Sequence, residues 1–289
     1  MDTLVKNLLE NQTSRDKIQK PNCSTRTGRS LLAFYLQTKF KQIINHDKKS
    51  PKHMILSYRD DFLDNFTNRL IEYPQNRILI SLSGESASGK STICSTIAKT
   101  VKEFNLPVTI LSADNYFNDI SALIQKFGNF DKLRDAGYDI DSPENFYLDQ
   151  LREDVLNLQK GKDILAPEYL VNGTGISKPH SLPVKSNKII IVEGMSSIYK
   201  GVSDIFDLRI YVEIDEEIRK DRFMKRAIKR NQDEINAQKH WDYIKSAGKK
   251  YVASRKSSSD IVINGECDLD YFCDMIKYIY LITNNFAND

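Results

Sequence analysis

The chain has 289 residues, of which 40% are hydrophobic and 28% charged, and its formal net charge is +3. That length allows one large domain or a core with an appendage, and the apolar share suffices for a sizeable core. So small a net charge gives no support for a nucleic-acid partner, and no apolar run approaches the length needed to cross a membrane. The four cysteines, Cys23, Cys94, Cys267 and Cys273, form no CxxC pair and match no zinc spacing, and the four histidines are scattered singly. Reduced structural thiols, no structural metal and a cytoplasmic setting are expected. The stretch MDTLVKNLLENQTSRDK carries early acids and no apolar core, so it is not expected to act as a signal peptide.

Residues 1–30 are polar, with the cluster Pro21-Asn22-Cys23-Ser24-Thr25, and are expected to be poorly ordered and dispensable for activity. Apolar positions then recur at helical spacing: Leu31, Leu32, Tyr35 and Leu36, followed by Phe62, Phe66, Leu70 and Ile71. They predict two helices joined by the polar stretch His46–Lys52. Residues 1–75 are basic, whereas the rest of the chain is slightly acidic. They read as a helical, partly flexible N-terminal extension, a kind of appendage that often serves self-assembly, so a homo-oligomer is among the expected partners.

Pro74-Gln75-Asn76 opens the second unit, residues 76–289. Strands are predicted at Ile78–Leu82, Val108–Leu111, Ile189–Val192, Leu208–Val212 and Asp260–Ile263. Helices are predicted at Thr92–Phe104, Phe146–Gln159 and Glu216–Arg230. Strands without polar alternation, separated by helices, predict an α/β fold in three layers with a mainly parallel sheet.

Gly84-Glu85-Ser86-Ala87-Ser88-Gly89-Lys90-Ser91 matches the phosphate-loop pattern GxxxxGK[ST] at every fixed position, between a predicted strand and a predicted helix. The glycines let the backbone curl so that successive N–H groups point at phosphate oxygens, and the following helix adds its positive end. Lys90 is placed for the β- and γ-phosphates, Ser91 for Mg²⁺, and Thr92 closes the ATP-binding stretch. This pattern predicts nucleotide binding and leaves the reaction open, since GTPases, motors and small-molecule kinases share it. No guanine-reading Asn-Lys-x-Asp element is present.

Acids follow two further strands. Asp114 ends the second strand, where ligands gather in such sheets, and suits a catalytic base, an orienting group, a contact to magnesium-held water or a turn cap. Glu193 closes the third strand and suits either a magnesium contact or an ordinary strand end. The helix after Asp215 carries Arg219, Arg222, Lys225, Arg226, Lys229 and Arg230 at spacings of three and four. Such a face fits a lid that stabilises a moving phosphoryl group, or a solvated charged helix.

Taken in order, the phosphate loop, Asp114-Asn115-Tyr116-Phe117, Tyr138-Asp139-Ile140-Asp141-Ser142-Pro143, Pro167-Glu168-Tyr169, Val192-Glu193-Gly194 and Asp215 with Arg219, Arg222 and Arg226 resemble the uridine kinase/phosphoribulokinase family. The resemblance covers roughly residues 77–264. It implies that Asp114 is the catalytic base and that Glu193 is the second acid of the magnesium site; should Asp114 prove dispensable, Asp141 is the next candidate for the base. It implies that Asp141 grips a nucleoside hydroxyl, with Tyr116 and Tyr169 near the acceptor, and that Arg219 contacts the acceptor while Arg222 and Arg226 contact ATP. Ser142 and the stretch Leu170–Ser177 depart from the family, which has a histidine after the aspartate and a base-reading histidine and arginine further on. The acceptor is therefore expected not to be read through a uridine-type histidine, although His180 lies a few residues beyond.

The expected function is an ATP- and Mg²⁺-dependent kinase that phosphorylates a hydroxyl of a small molecule, with a nucleoside first. Pantothenate or a sugar phosphate is the alternative acceptor, and a non-catalytic ATP-binding regulatory module is the alternative of a different class.

Overall fold

The structure, a computed structural model, describes residues 25–48, 53–73, 77–103, 105–170, 173–267 and 269–286. Most of the segment expected to be dispensable, residues 1–24, lies outside these. The fold opens on helix α1 (Arg26–Asp47), strand β1 (Ile55–Tyr58) and helix α2 (Phe62–Glu72). The core strands are β2 (Ile78–Ser83), β3 (Val108–Ser112), β6 (Ile189–Glu193), β7 (Leu208–Glu213) and β8 (Ile261–Asn264), and a separate hairpin is made by β4 (Ile164–Tyr169) and β5 (Ser177–Val184). Helices α3 (Lys90–Glu103), α4 (Ser121–Phe127), α5 (Phe130–Asp135), α6 (Leu148–Gln159), α7 (Glu216–Lys229), α8 (Glu234–Tyr251) and α9 (Asp270–Phe286) complete the elements used below.

Six strands form one sheet in the order β1-β8-β7-β2-β6-β3. β2 runs parallel to both β6 and β7, β3 parallel to β6 and β8 parallel to β7, while β1 pairs antiparallel with β8 at the edge. All six residues of β2 are buried, as a central parallel strand requires. Its side chains alternate between two apolar layers. Ile78, Ile80 and Leu82 join the cluster that includes Ile93 and Ile97 of α3, and Leu79 joins the cluster of Leu151, Val155 and Leu158 of α6. The expected three-layer α/β arrangement with a mainly parallel sheet is present.

The segment set apart as residues 1–75 shares this core. Leu36, Phe40, Ile43 and Ile44 of α1 and Phe62, Leu63, Phe66 and Leu70 of α2 belong to the same apolar cluster as the sheet and as Phe272, Met275, Ile276 and Ile279 of α9. The two predicted helices are found, but a strand lies between them where the sequence pattern suggested only a polar connection. A deletion of residues 1–30 would also remove the first turn of α1, where Thr25 caps the helix through Gly28 N–H and Arg29 Nε donates to Ile71 C=O at 2.9 Å.

Asp47 ends α1 and is fully buried. Its carboxylate accepts the backbone N–H groups of Met54 and, at 2.7 Å, Ile55, so it starts the edge strand from within the core. Removing it would leave buried N–H donors unmatched, which costs roughly 1–3 kcal/mol per group. Asp47→Ala is expected to lower unfolding stability by about 3 kcal/mol in urea titration. A loss below about 1 kcal/mol would show that water replaces the carboxylate there.

Candidate functional site

β2 delivers the phosphate loop to the centre of the sheet edge. Gly84 (φ +147°) and Gly89 (φ +105°) take backbone conformations that L side chains rarely adopt. Space at Gly84 is also closed, since a Cβ there would stand 2.5 Å from the Val212 carbonyl oxygen. Lys90 opens α3, and its ammonium donates to the carbonyls of Gly84 and Glu85 at 2.7 and 2.9 Å, so the loop is folded around its own cation. Ser88 is buried, and its hydroxyl has no hydrogen-bond partner among the described residues. Residues 86–92, Asp114, Glu193, Met195, Arg222, Arg226 and Gly265 line one cleft of about 480 Å³.

Both expected acids reach this cleft because β3 and β6 are paired in register, with Ser112 opposite Glu193. The Ser112 hydroxyl donates to Glu193 Oε1 at 3.1 Å. Asp114 follows in a short 3₁₀ turn, Ala113–Tyr116. It is exposed to the cleft but surrounded at longer range by protein, which pushes its pKa up, while Lys90 and Arg226 oppose the shift. Burial likewise raises Glu193, helped by the charge of Asp114 and opposed by Lys90 and the hydroxyls of Ser112 and Ser91. Burial lowers the Lys90 pKa, and the charges of Asp114 and Glu193 restore part of it. Ser91 and Glu193 thus offer hard oxygen donors of the type Mg²⁺ prefers, in the small number used where phosphates complete the coordination.

The residues expected on the acceptor side lie beyond Asp114. Asp141 is half-buried, and its carboxyl is pushed up to about 7 by burial and by the charges of Asp114 and Asp139, with Arg134 opposing. Its backbone is held at both ends: its N–H donates to Tyr243 Oη at 3.0 Å, and its C=O accepts Tyr199 Oη at 2.9 Å. Tyr169 closes β4 beside Phe117, with ring centroids 5.2 Å apart, and its hydroxyl is raised to about 12 mainly by burial. Tyr116 stands elsewhere than the resemblance implied. It is fully buried, and its hydroxyl donates to Asp154 at 2.8 Å, so it belongs to the layer under the cleft. Ser142 is buried, Val171 and Asn172 lie outside the described residues, and His180 is exposed on β5 near Asp154.

The basic helix is α7, and it packs against α8 to form a helical hairpin. Phe223, Ala227, Ala237, Trp241 and Ile244 make its own small core, to which Ala87 of the phosphate loop adds. Arg226 donates to the Ser86 hydroxyl at 3.2 Å, and Arg222 to Gly265 C=O at 3.4 Å, so both guanidinium groups border the cleft. Arg219 does not. It is buried, ion-paired with the Glu85 carboxylate and set over the Trp241 ring at 5.3 Å. This correction moves Arg219 from acceptor contact to anchoring the hairpin on the phosphate loop, and it makes the Glu85 side chain a structural partner. The spacing of three and four put these arginines on one face but carried no signal of which would be buried.

Met195 and Gly265 were not anticipated. Both follow the C-terminal end of a predicted strand, the position that led to Asp114 and Glu193, but neither carries a titratable group to mark it.

A parallel sheet whose central strand runs into a glycine-bounded phosphate cradle defines the P-loop class of nucleotide-binding proteins. Within that class the chain belongs to the phosphoribulokinase/uridine kinase family, whose model matches residues 79–270. It is 28% identical over 216 residues to uridine-cytidine kinase A of Dictyostelium discoideum, covering 73% of this chain and 39% of that one. To the uridine kinase of Schizosaccharomyces pombe it is 27% identical over 215 residues, covering 73% and 45%. The uridine kinase of Staphylococcus aureus strain JH9 is 29% identical over 189 residues, covering 64% of this chain and 86% of that one. The chain therefore spans less than half the length of the first two relatives. In fold it is similar to a solved structure from Silicibacter sp. TM1040, provisionally described as a fructose transport system kinase, with TM-score 0.52, 18% identity and coverage of 65% of this chain and 89% of that one. No helix among the described residues is long and apolar enough to cross a membrane.

The closed space at Gly84 gives a direct test. Gly84→Ala sets a Cβ against the Val212 carbonyl in a strained backbone conformation, a cost of roughly 1–3 kcal/mol. The variant is expected to lose nucleotide binding, read with a fluorescent ATP analogue, together with a lower melting temperature. Unchanged binding would show that the loop shifts without losing its cradle.

Proposed function

We propose that this protein is an ATP-dependent kinase that transfers the γ-phosphate to a hydroxyl group of a nucleoside. The observation that carries the reading is the convergence of Lys90, Asp114, Glu193 and Arg226 on one cleft at the phosphate loop. A basic ammonium, a potential proton acceptor and a guanidinium stand where a phosphoryl group would pass between nucleotide and acceptor. The loop backbone and Lys90 hold the β- and γ-phosphates, and Arg226 borders the same space from the lid. Asp114 takes the proton of the attacking hydroxyl as that oxygen bonds to the γ-phosphorus and the bond to the bridging oxygen breaks, giving ADP and a phosphate monoester. Ser91 and Glu193 would hold Mg²⁺ together with phosphate oxygens, and the ion when bound neutralises phosphate charge. Asp141 takes acceptor hydroxyls and Tyr169 packs near the acceptor ring. Arg222 and Arg226 keep their proposed role towards ATP, and Thr92 stays with the nucleotide-binding stretch.

The nucleoside reading draws on the relatives, which are described as uridine and uridine-cytidine kinases. Base recognition is expected to differ here, because Ser142 offers no imidazole and His180 is exposed on β5, near enough to Asp154 to influence its charge. The expected specificity is for the ribose-like part of the acceptor with weak base preference. Values of kcat/KM for uridine, cytidine, adenosine, guanosine, pantothenate and ribose, measured side by side, test this. A preference for uridine and cytidine above ~1,000-fold, about 4 kcal/mol, would show that another residue reads the base. A preference for pantothenate would move the acceptor class.

Two substitutions test the chemistry. Lys90→Ala is expected to reduce turnover at least ~100-fold, about 3 kcal/mol of transition-state stabilisation. Asp114→Asn is expected to reduce it about 100- to 10,000-fold while leaving ATP affinity within a few-fold. Turnover retained in Asp114→Asn would transfer the base role to Asp141.

The raised carboxyls predict a pH dependence. Burial and the charges of Asp114 and Asp139 push the Asp141 carboxyl up to about 7, and burial shifts Asp114 upward. Both act in the ionised form, which predominates above the pKa and is lost as pH falls through it. The value of kcat/KM is therefore expected to fall at least about tenfold per unit as pH drops below about 7. A profile flat from pH 8 to pH 5 would contradict these roles.

A further inference from the structure

We propose that Asp139 is a positioning residue for the acceptor, tying the loop that carries Asp141 to the second helix of the lid hairpin. The proposal rests on the reading of Asp141 as the acceptor-gripping carboxylate. The loop from Tyr138 to Asn145 is closed on Asp139 from within: Ser142 N–H and Asn145 Nδ2 both donate to the Asp139 carbonyl, at 3.2 and 2.6 Å. The Asp139 carboxylate points the other way, and each of its side-chain partners comes from α8. Tyr243 Oη donates to Oδ1 at 3.1 Å, and Tyr251 Oη and Lys250 Nζ donate to Oδ2 at 2.6 and 3.1 Å.

Tyr243 makes the connection directional. A phenol hydroxyl has one proton to give and lone pairs to receive with. Because the proton goes to Asp139, a lone pair is turned to the Asp141 N–H, which donates to it at 3.0 Å. The charge at position 139 therefore fixes the hydroxyl that fixes the Asp141 backbone. The Asp141 carboxylate takes no hydrogen bond from the described residues and stays available to a ligand. Lys250 is 62% exposed in its side chain, so its ion pair contributes little, and the two phenols dominate.

The same hairpin governs the other side of the cleft. At its turn Gln232 Nε2 reaches Asp131 of α5 at 3.4 Å, and on α7 Arg226 reaches Ser86 of the phosphate loop. One hairpin thus borders both the phosphate loop, through Arg226, and the loop that carries Asp141, through Tyr243. Acceptor geometry and lid position are linked through Asp139, with no part for it in the chemical step.

The test uses the full chain, with ATP and uridine as probes. Tyr243→Phe removes one oxygen, Asp139→Ala removes the hub, and Asp139→Asn keeps an acceptor for one phenol. Hydrogen exchange of the Asp141 amide, followed without any acceptor, is expected to speed up about tenfold in Tyr243→Phe and Asp139→Ala, as the loss of one hydrogen bond implies. The KM for uridine is expected to rise about tenfold in both, with ATP affinity within about twofold. Asp139→Asn is expected to recover most of both effects. Unchanged Asp141 exchange and uridine KM in Tyr243→Phe would overturn the proposal, as would an Asp139→Asn no better than Asp139→Ala. If Asp139→Ala fails to fold, Tyr243→Phe decides. A parent protein that does not phosphorylate uridine defeats the nucleoside reading alone, because the exchange measurement still settles whether the hub holds the loop.

Discussion

A parallel strand at the middle of a sheet must find hydrogen-bond partners on both edges and apolar cover on both faces. β2 meets that requirement with β6 and β7 at its edges and with α3 and α6 over its faces. Its C-terminal end is consequently fixed, and the next residues have only the space left between the ends of its neighbours. There the chain turns through Gly84, against the Val212 carbonyl of β7. The position of the phosphate loop is thus set by main-chain pairing, before any charged residue is considered. Glu193 at the end of β6 and Asp114 just past β3 are brought beside it by the same pairing.

Charge at the site is arranged by burial and by proximity together. Lys90 is held by two carbonyls rather than by a carboxylate, so it keeps its charge available to a phosphate. Asp114, Asp141 and Glu193 are all raised, chiefly by burial, and the charge of Asp114 adds to the shift at the other two. Such a cluster of carboxylates is a natural place for positive charge to settle, whether from a guanidinium of α7 or from a metal ion. The arginines of α7 divide between two tasks accordingly. Arg219 is spent inside the protein on Glu85, and Arg222 and Arg226 face the cleft.

The parts of this arrangement that were legible in the sequence are those carried by continuous apolar runs or by a strict motif. The five core strands and the phosphate loop fall in that group, as do the two acids that end strands. β1 was missed because Ile-Leu-Ser-Tyr is short and has a single buried residue, so it shows neither a run nor an alternation. β4 and β5 were missed because Pro167, Pro179 and Pro183 interrupt them, and proline argues against a strand unless its edge faces solvent. Residues 1–75 were set apart by the break at Pro74-Gln75-Asn76 and by lying outside the family resemblance, neither of which reports packing, and the buried Phe40 and Phe66 share the apolar cluster of the sheet. The roles of Arg219, Tyr116 and Asp139 depend on contacts across 100 residues or more in two cases, and such pairings leave no trace in local spacing.

The edge strand carries a further meaning for how this chain reaches its native state. β1 has β8 as its partner, with Ile55 opposite Ile263, and β8 in turn covers the outer edge of β7. A strand made early must therefore wait for one made late, across a separation of about two hundred residues, and closure of so long a loop is slow. During synthesis on the ribosome the outer edge of β7 stays open while α1, β1 and α2 are already exposed with their apolar faces uncovered. Those faces and that edge are the surfaces on which a chaperone would act or two immature chains would stick together. For this protein the hazard of misassembly is thus concentrated in the interval before Ile261–Asn264 and the α9 residues that cover α1 and α2 have emerged.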